Sequence, residues 1–247
     1  MTILFIFPHP DDETIFAGGT IARHTSRGDK VIWLCASYGE KGRISQKHSP
    51  CLFYFTYFFL RYFPFPVFLQ RVAIWWLSIF RKSNKQAIKA RRHEAEEVAR
   101  IYGISRLHFL EIEDMKFGNN FAKLGGKIRK YIKLYHPQLI YTYHPNGITG
   151  HPDHKYLAKC VIKIAKSLLP YERPKILGAA IPTAIAGKYK LPLVGTEEIS
   201  HEIELSGYEL NLKTQAINAY ISQKYLWKLF LEKNPELLER EYFTKLL

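Results

Sequence analysis

A chain of 247 residues with 47% apolar side chains can bury the core of one α/β domain and is too apolar to be disordered. Its formal charge of +14 points to an anionic partner and says nothing about fold. Three scattered cysteines, Cys35, Cys51 and Cys160, argue against a disulfide framework and a cysteine-built zinc site, and for a reducing compartment.

Thr2–Phe7 is a short continuous apolar run and predicts a buried parallel strand. A strand beginning at residue 2 leaves no room for a signal peptide, so the chain is expected to stay in the cytoplasm. Pro8-His9-Pro10-Asp11-Asp12-Glu13 follows, with Asp12 and Glu13 opening a helix to about Arg27 that Gly28 stops. The helix dipole favours acids in a first turn by ~0.3–1 kcal/mol each, which explains the carboxylates but not His9. Lys30–Ser37 is the second strand of a right-handed βαβ unit. The next loop, Tyr38–Gly42, falls at the C-terminal edge of the sheet, where ligands bind.

Residues 45–88 interrupt this alternation. Cys51–Phe80 holds about a third of the aromatic residues, no acid, two prolines (Pro64 and Pro66) and only Arg61 and Arg71 as charges. These cut it into pieces too short for a membrane-spanning helix, which needs roughly 20 apolar residues. Lys85–Tyr102 predicts an amphipathic helix closed by Gly103, Arg106–Glu111 a third strand, Phe121–Tyr135 a helix and Pro137–Tyr143 a fourth strand. The loop His144–Gly150 leads into His151-Pro152-Asp153-His154 and a helix over Asp153–Leu168, and Lys175–Ile181 is the fifth strand. Residues 182–212 suggest short mixed strands, and Lys213–Leu246 a helical region broken near Asn234-Pro235.

His9 and Asp12 are three residues apart at a helix start, so both can face one side of the turn, and His154 can add a second imidazole. Two imidazoles, a carboxylate and an open position make a catalytic zinc arrangement, and iron(II) suits the same donors. Zinc brings the pKa of the water it binds from about 15.7 toward roughly 7. Asp11, pointing away from Asp12, is then placed as general base. His151 is the candidate to stabilise an oxyanion, with Asp153 holding it charged and in the right tautomer. Such a set supports metal-assisted hydrolysis of an amide or ester. His24, His48, His93, His108, His136 and His201 lack this setting and are expected to be structural or exposed, with His144 a reserve ligand.

His9-Pro10-Asp11-Asp12-Glu13, together with Asn146-Gly147 and Gly150-His151-Pro152-Asp153-His154, resembles the two signature motifs of the LmbE-like, PIG-L family of zinc-dependent N-acetylglucosaminyl deacetylases. The likeness spans about residues 2–44 and 88–181 and takes in Gly39-Glu40, Arg91, Glu94 and Asp114. It implies an α/β fold, a Rossmann-like three-layer sandwich with a mostly parallel sheet. It implies one deacetylase domain over residues 1–247, with an aromatic, basic insertion at about 45–88. The activity implied is removal of acetate from an N-acetylglucosamine moiety by a zinc-activated water. By motif match, His9, Asp12 and His154 would be ligands, Asp11 the base, and His151 the acid or oxyanion stabiliser tuned by Asp153. Glu40, Arg91, Asp114 and Asn146 would contact the sugar or its substituent. Arg91 could instead pair with Glu94 or Glu111, and Glu13 is a supporting or helix-start residue. Two residues before His151, Thr149 stands where some members have a tyrosine.

The aromatic, acid-free residues 51–80 suit the headgroup layer of an anionic membrane, so a lipid-linked substrate at the cytoplasmic face is expected. Self-association through the same residues, or packing on the protein's own body, are the alternatives. An amidase for another N-acyl glycoconjugate would use the same chemistry. A basic nucleic-acid- or membrane-binding protein without catalysis is the alternative from a different class. Nucleic acid is not expected, because the basic residues form no zinc-finger or RNP pattern.

Overall fold

The computed structural model describes residues 1–42, 85–188, 193–224, 231 and 235–247. β1 (Thr2–Phe7) is buried from Ile3 onward, and α1 (Asp12–Ser26) returns the chain to β2 (Lys30–Cys35). β1 and β2 pair in parallel, with Thr2 opposite Lys30 and Phe7 opposite Cys35. α2 (Lys85–Tyr102) then leads to β3 (Arg106–Phe109), α3 (Phe121–Tyr135) to β4 (Leu139–Tyr143), and α4 (Pro152–Lys166) to β5 (Lys175–Ala180). A short α5 (Thr183–Lys188) precedes β6 (His201–Glu204), α6 (Gly207–Ala219), α7 (Glu236–Glu239) and β7 (Arg240–Lys245).

The strands form one sheet in the order β3-β2-β1-β4-β5-β7-β6. All pairs are parallel except those of β7, which is antiparallel to both β5 and β6. Side chains alternate along the strands, so β1, β2, β4 and β5 each feed two cores. Ile3, Phe5 and Phe7 of β1 join the core with α1, α2 and α6, while Leu4 and Ile6 join that with α3 and α4. The result is the expected Rossmann-like three-layer α/β architecture.

β1 and β4 are neighbours, with Ile3 opposite Leu139, yet their following helices pack on opposite faces of the sheet. Where connections diverge in this way, a crevice opens beyond the C-terminal ends of the strands. His9–Asp12 follows β1 and His151–His154 follows β4, so the topology carries both motifs to that crevice.

The C-terminal region corrects the expectation of helix over Lys213–Leu246. The helix there starts earlier, at Gly207, behind a capping box: Ser206 Oγ accepts from the Glu209 N–H at 3.4 Å, and Glu209 Oε2 from the Ser206 N–H at 2.6 Å. Arg240–Lys245 is a strand buried at its four central residues, so it shows no alternation of apolar and polar positions. The insertion at about 45–88 lies, up to residue 84, outside the described residues, as does the surface expected at 51–80. Among the described residues no helix is long and apolar enough to cross a membrane.

Candidate metal and catalytic site

Pro8 and Pro10 have no N–H to give a helix, so the chain turns through them and α1 begins only at Asp12. Asp11 has φ 111°, which non-glycine residues rarely adopt. Its neighbours hold it there. The Asp11 N–H donates to Glu13 Oε2 at 3.1 Å, and Arg91 donates to Pro10 O at 2.7 Å and to Asp11 Oδ2 at 2.9 Å. Asp12 folds back instead. Its Oδ2 accepts from the His9 N–H at 3.1 Å and lies 3.0 Å from His9 Nδ1, while Oδ1 accepts from the Tyr143 hydroxyl at 2.7 Å.

These placements set opposite protonation tendencies. Burial pushes the Asp11 carboxyl well above the usual range; Arg91 pulls it back, and Asp12 and Glu13 push it further up. Burial also opposes ionisation of Asp12, but His154, His9 and Tyr143 outweigh it and hold that carboxyl below the usual range. Glu13, fully buried, is pushed up to about 7 by burial, against the Thr14 and Tyr220 hydroxyls.

On the second loop, Gly147 and Gly150 take φ 75° and 76°, and Ile148 takes φ 52°. His151 caps α4, its Nδ1 accepting from the Asp153 N–H at 3.2 Å with Pro152 opening the helix. Because Nδ1 accepts, the proton of a neutral His151 ring sits on Nε2. Burial, then His154 and His9, push this imidazole down to about 3. His154 Nδ1 donates to Gly147 O at 3.1 Å, which leaves Nε2 with its lone pair 3.5 Å from Asp12 Oδ2. Its ring stacks on Tyr143 at 4.3 Å and 11°.

The two distant motifs therefore meet. The His9 and His154 rings are 5.4 Å apart, and one donor atom each from His9, Asp12 and His154 lie within 4.8 Å of one another. This set fits a divalent metal ion on three counts. His154 is oriented by a backbone carbonyl in the way ligating histidines are. His9 Nε2 is buried without a well-formed hydrogen bond, although Asp114 Oδ1 is 3.2 Å away. Burial opposes a charged His9, yet Asp114, Asp12 and Asp153 outweigh it and hold the ring well above its ordinary pKa, so the crevice draws in positive charge.

The structure corrects two side-chain pairings. The Asp153 carboxylate accepts from the N–H groups of Met115 at 2.5 Å and Phe117 at 3.3 Å and lies 3.7 Å from His9 Nε2; it forms no hydrogen bond with the His151 ring. Arg91 pairs neither with Glu94 nor with Glu111. It is 4% exposed and spent on Asp11, Pro10 O and, at 2.9 Å, Gly39 O, while Glu94 accepts from the Ser222 N–H and hydroxyl.

Asp114, expected on the sugar, is 4% exposed beside His9 and accepts from the Lys41 N–H at 3.1 Å. The Asn146 amide braces its own loop, bonding Val194 O, Gly195 O and the Ile148 N–H. Glu40 Oε1 accepts from the Asp114 N–H at 2.8 Å, and Glu40 Oε2 is buried without a hydrogen-bond partner among the described residues. His144 accepts from the Asn146 N–H on the loop and does not join His9, Asp12 and His154. Tyr143 was not expected at the site; as the final residue of an apolar strand it carries no mark in the sequence.

Residues 4–165 match the family model described as GlcNAc-PI de-N-acetylase, PIG-L. A probable N-acetyl-alpha-D-glucosaminyl L-malate deacetylase 2 of Bacillus cereus is 29% identical over 187 residues, 72% of this chain and 67% of that protein. A 1D-myo-inositol 2-acetamido-2-deoxy-alpha-D-glucopyranoside deacetylase of Saccharomonospora viridis is 26% identical over 62% of this chain, which spans about half (53%) of that protein's length. The N,N'-diacetylchitobiose deacetylase of Pyrococcus horikoshii superposes with a TM-score of 0.64 at 18% identity, over 98% of this chain and 82% of that one, which shows the shared fold. With the matched span covering β1 through α4 and both motifs, the chain belongs to the PIG-L family of de-N-acetylases.

Proposed function

We propose that this chain is a metal-dependent N-deacetylase that hydrolyses the acetamide of an N-acetylglucosamine moiety. The observation that carries the proposal is the convergence of His9, Asp12 and His154 beside Asp11, a buried carboxylate of raised pKa. A divalent ion held by His9, Asp12 and His154 would supply Lewis acidity at the acetamide oxygen; zinc is proposed, with iron(II) compatible with the same donors.

The protein's own groups do the rest. Asp11, fixed by Arg91, takes a proton from the attacking water as the new C–O bond forms. His151, with Nε2–H as donor, faces the developing oxyanion and the departing nitrogen. As the C–N bond breaks, Asp11 passes the proton it took from the water to the departing nitrogen, so the amine leaves neutral, Asp11 returns to the carboxylate, and the acetic acid formed loses its proton to solvent as acetate. Asp153 and Asp114 act through His9, and Glu40 holds the Asp114 backbone in place through Oε1. The composition of residues 51–80 supports a lipid-linked glycoconjugate met at the cytoplasmic face.

Metal analysis of freshly purified protein, paired with turnover of a panel of N-acyl amino sugars by Asp11→Asn, tests this. Retained metal with turnover of the acetyl substrate lowered by about 10²–10⁴-fold is expected. An active Asp11→Asn enzyme, or protein that binds no divalent ion, would overturn it.

A further inference from the structure

α3 and α4 lie side by side on one face of the sheet: Gly125 faces Ile164 and Cys160, and Arg129 donates to Ser167 Oγ at 2.8 Å. Their charges are of one sign. α3 carries Lys123, Lys127, Arg129, Lys130 and Lys133 and no acid. α4 carries Lys155, Lys159, Lys163 and Lys166, and its single acid, Asp153, is buried beneath them. Lys123, Lys130, Lys133, Lys159, Lys163 and Lys166 are exposed. Among the described residues none of the cations of these two helices has a carboxylate partner.

α2 makes the contrast. There Arg92 pairs with Glu96 and Arg100 with Glu97, the mixed pattern of a face that only meets water. A helix pair that stays one-signed accepts self-repulsion, which a partner of opposite charge relieves. Large apolar groups also stand among the lysines. Tyr156 is 41% exposed near the start of α4, Leu134 58% near the end of α3, and Leu169 and Tyr171 are 53% and 82% exposed just past α4. They mark both ends of the charged face.

We propose that the α3–α4 face docks on the anionic leaflet of a lipid membrane, with the lysines on lipid headgroups and Tyr156, Leu134, Leu169 and Tyr171 entering the interfacial layer. Apolar side chains flanking lysines that no carboxylate neutralises are what an interfacial anchor presents. A nucleic acid would satisfy the lysines but leave these four apolar groups without a role. The face is distinct in the chain from residues 51–80. Because α4 begins beside His151, a protein lying flat on this face holds its crevice at the membrane surface.

Vesicle co-sedimentation of the full chain tests this, using phosphatidylglycerol-containing vesicles against pure phosphatidylcholine. Binding to the anionic vesicles alone, lost as salt rises from about 0.1 to about 1 M, is expected. Each surface lysine strengthens binding by about fivefold, so replacing Lys123, Lys130, Lys159 and Lys163 by Gln lowers it by more than about a hundredfold. Replacing the same four by Arg leaves binding in place. The metal content and turnover of a water-soluble substrate stay at parental level in both variants. No binding by the parent overturns the proposal, and so does undiminished binding by the Gln variant, which would move the anchor elsewhere. Tighter, Gln-sensitive binding to a single-stranded oligonucleotide than to vesicles would show the partner to be wrong.

Discussion

Asp11 carries a backbone strain of about 1–3 kcal/mol, offset by the contacts of Arg91 and Glu13. Arg91 spreads over three acceptors that one ammonium cannot span. Arg91→Lys is therefore expected to lower kcat by about a hundredfold while KM changes by less than about twofold. Steady-state kinetics decide it: a raised KM with kcat intact would return Arg91 to the substrate. Tyr143→Phe removes the 2.7 Å hydrogen bond to Asp12 and is expected to weaken metal affinity by about 10–100-fold, measured by competition with a chelator. His9, Asp12 and His154 were legible as a set because clustered imidazole and carboxylate at strand ends have no packing role. Arg91 was visible as a residue but not in its pairing with Asp11, since that contact joins residues 80 apart. The attachments of buried Asp114 and of Asn146 were equally beyond one-dimensional spacing.

At the level of elements, β7 and α6 hold α1 through one buried ion pair. Lys213, 0% exposed, donates to Glu241 Oε1 at 2.9 Å and to Leu237 O at 3.0 Å. Glu241 also accepts from the N–H groups of Gly19 and Thr20, both at 2.8 Å, and from the Thr20 hydroxyl. Glu241→Ala strands a buried ammonium, and about 3–5 kcal/mol of stability is expected to be lost in denaturant unfolding. Adding Lys213→Met recovers only part of it, because the Gly19 and Thr20 amides and the Thr20 hydroxyl still lose the carboxylate they donate to. His24 of α1 contributes a pH dependence. Burial lowers its pKa, against Asp29, and Tyr141 closes the ring's other side. A depressed histidine pKa means the unfolded chain binds the proton more readily. Stability is therefore full above the unfolded value of about 6.5 and falls as pH drops from there through the folded pKa. The unfolding midpoint should drop between about pH 7 and 5, by less in His24→Gln. The first five strands and four helices were legible because each has one clear period or an unbroken apolar run. β7 was not, because a strand buried on both faces, with charged Arg240, Glu241 and Lys245 around its aromatic pair, lacks alternation and looks like a continuing helix.

For the molecule as a whole, the ligand set joins a loop leading to α1 on one face of the sheet with a loop leading to α4 on the other. A bound ion thus couples the two outer layers, and stripping it is expected to lower the unfolding temperature by about 5–10 °C, read by calorimetry before and after chelation. An unchanged transition would mean the loops hold their arrangement unaided. The Gly19 and Thr20 amides find their acceptor on a residue more than 220 positions downstream. During synthesis, the helix bearing Asp12 emerges long before the strand that completes its bonding. Until Glu241 emerges, these two amides lack that acceptor, and a chaperone that shields the helix has the synthesis of more than 220 residues in which to act.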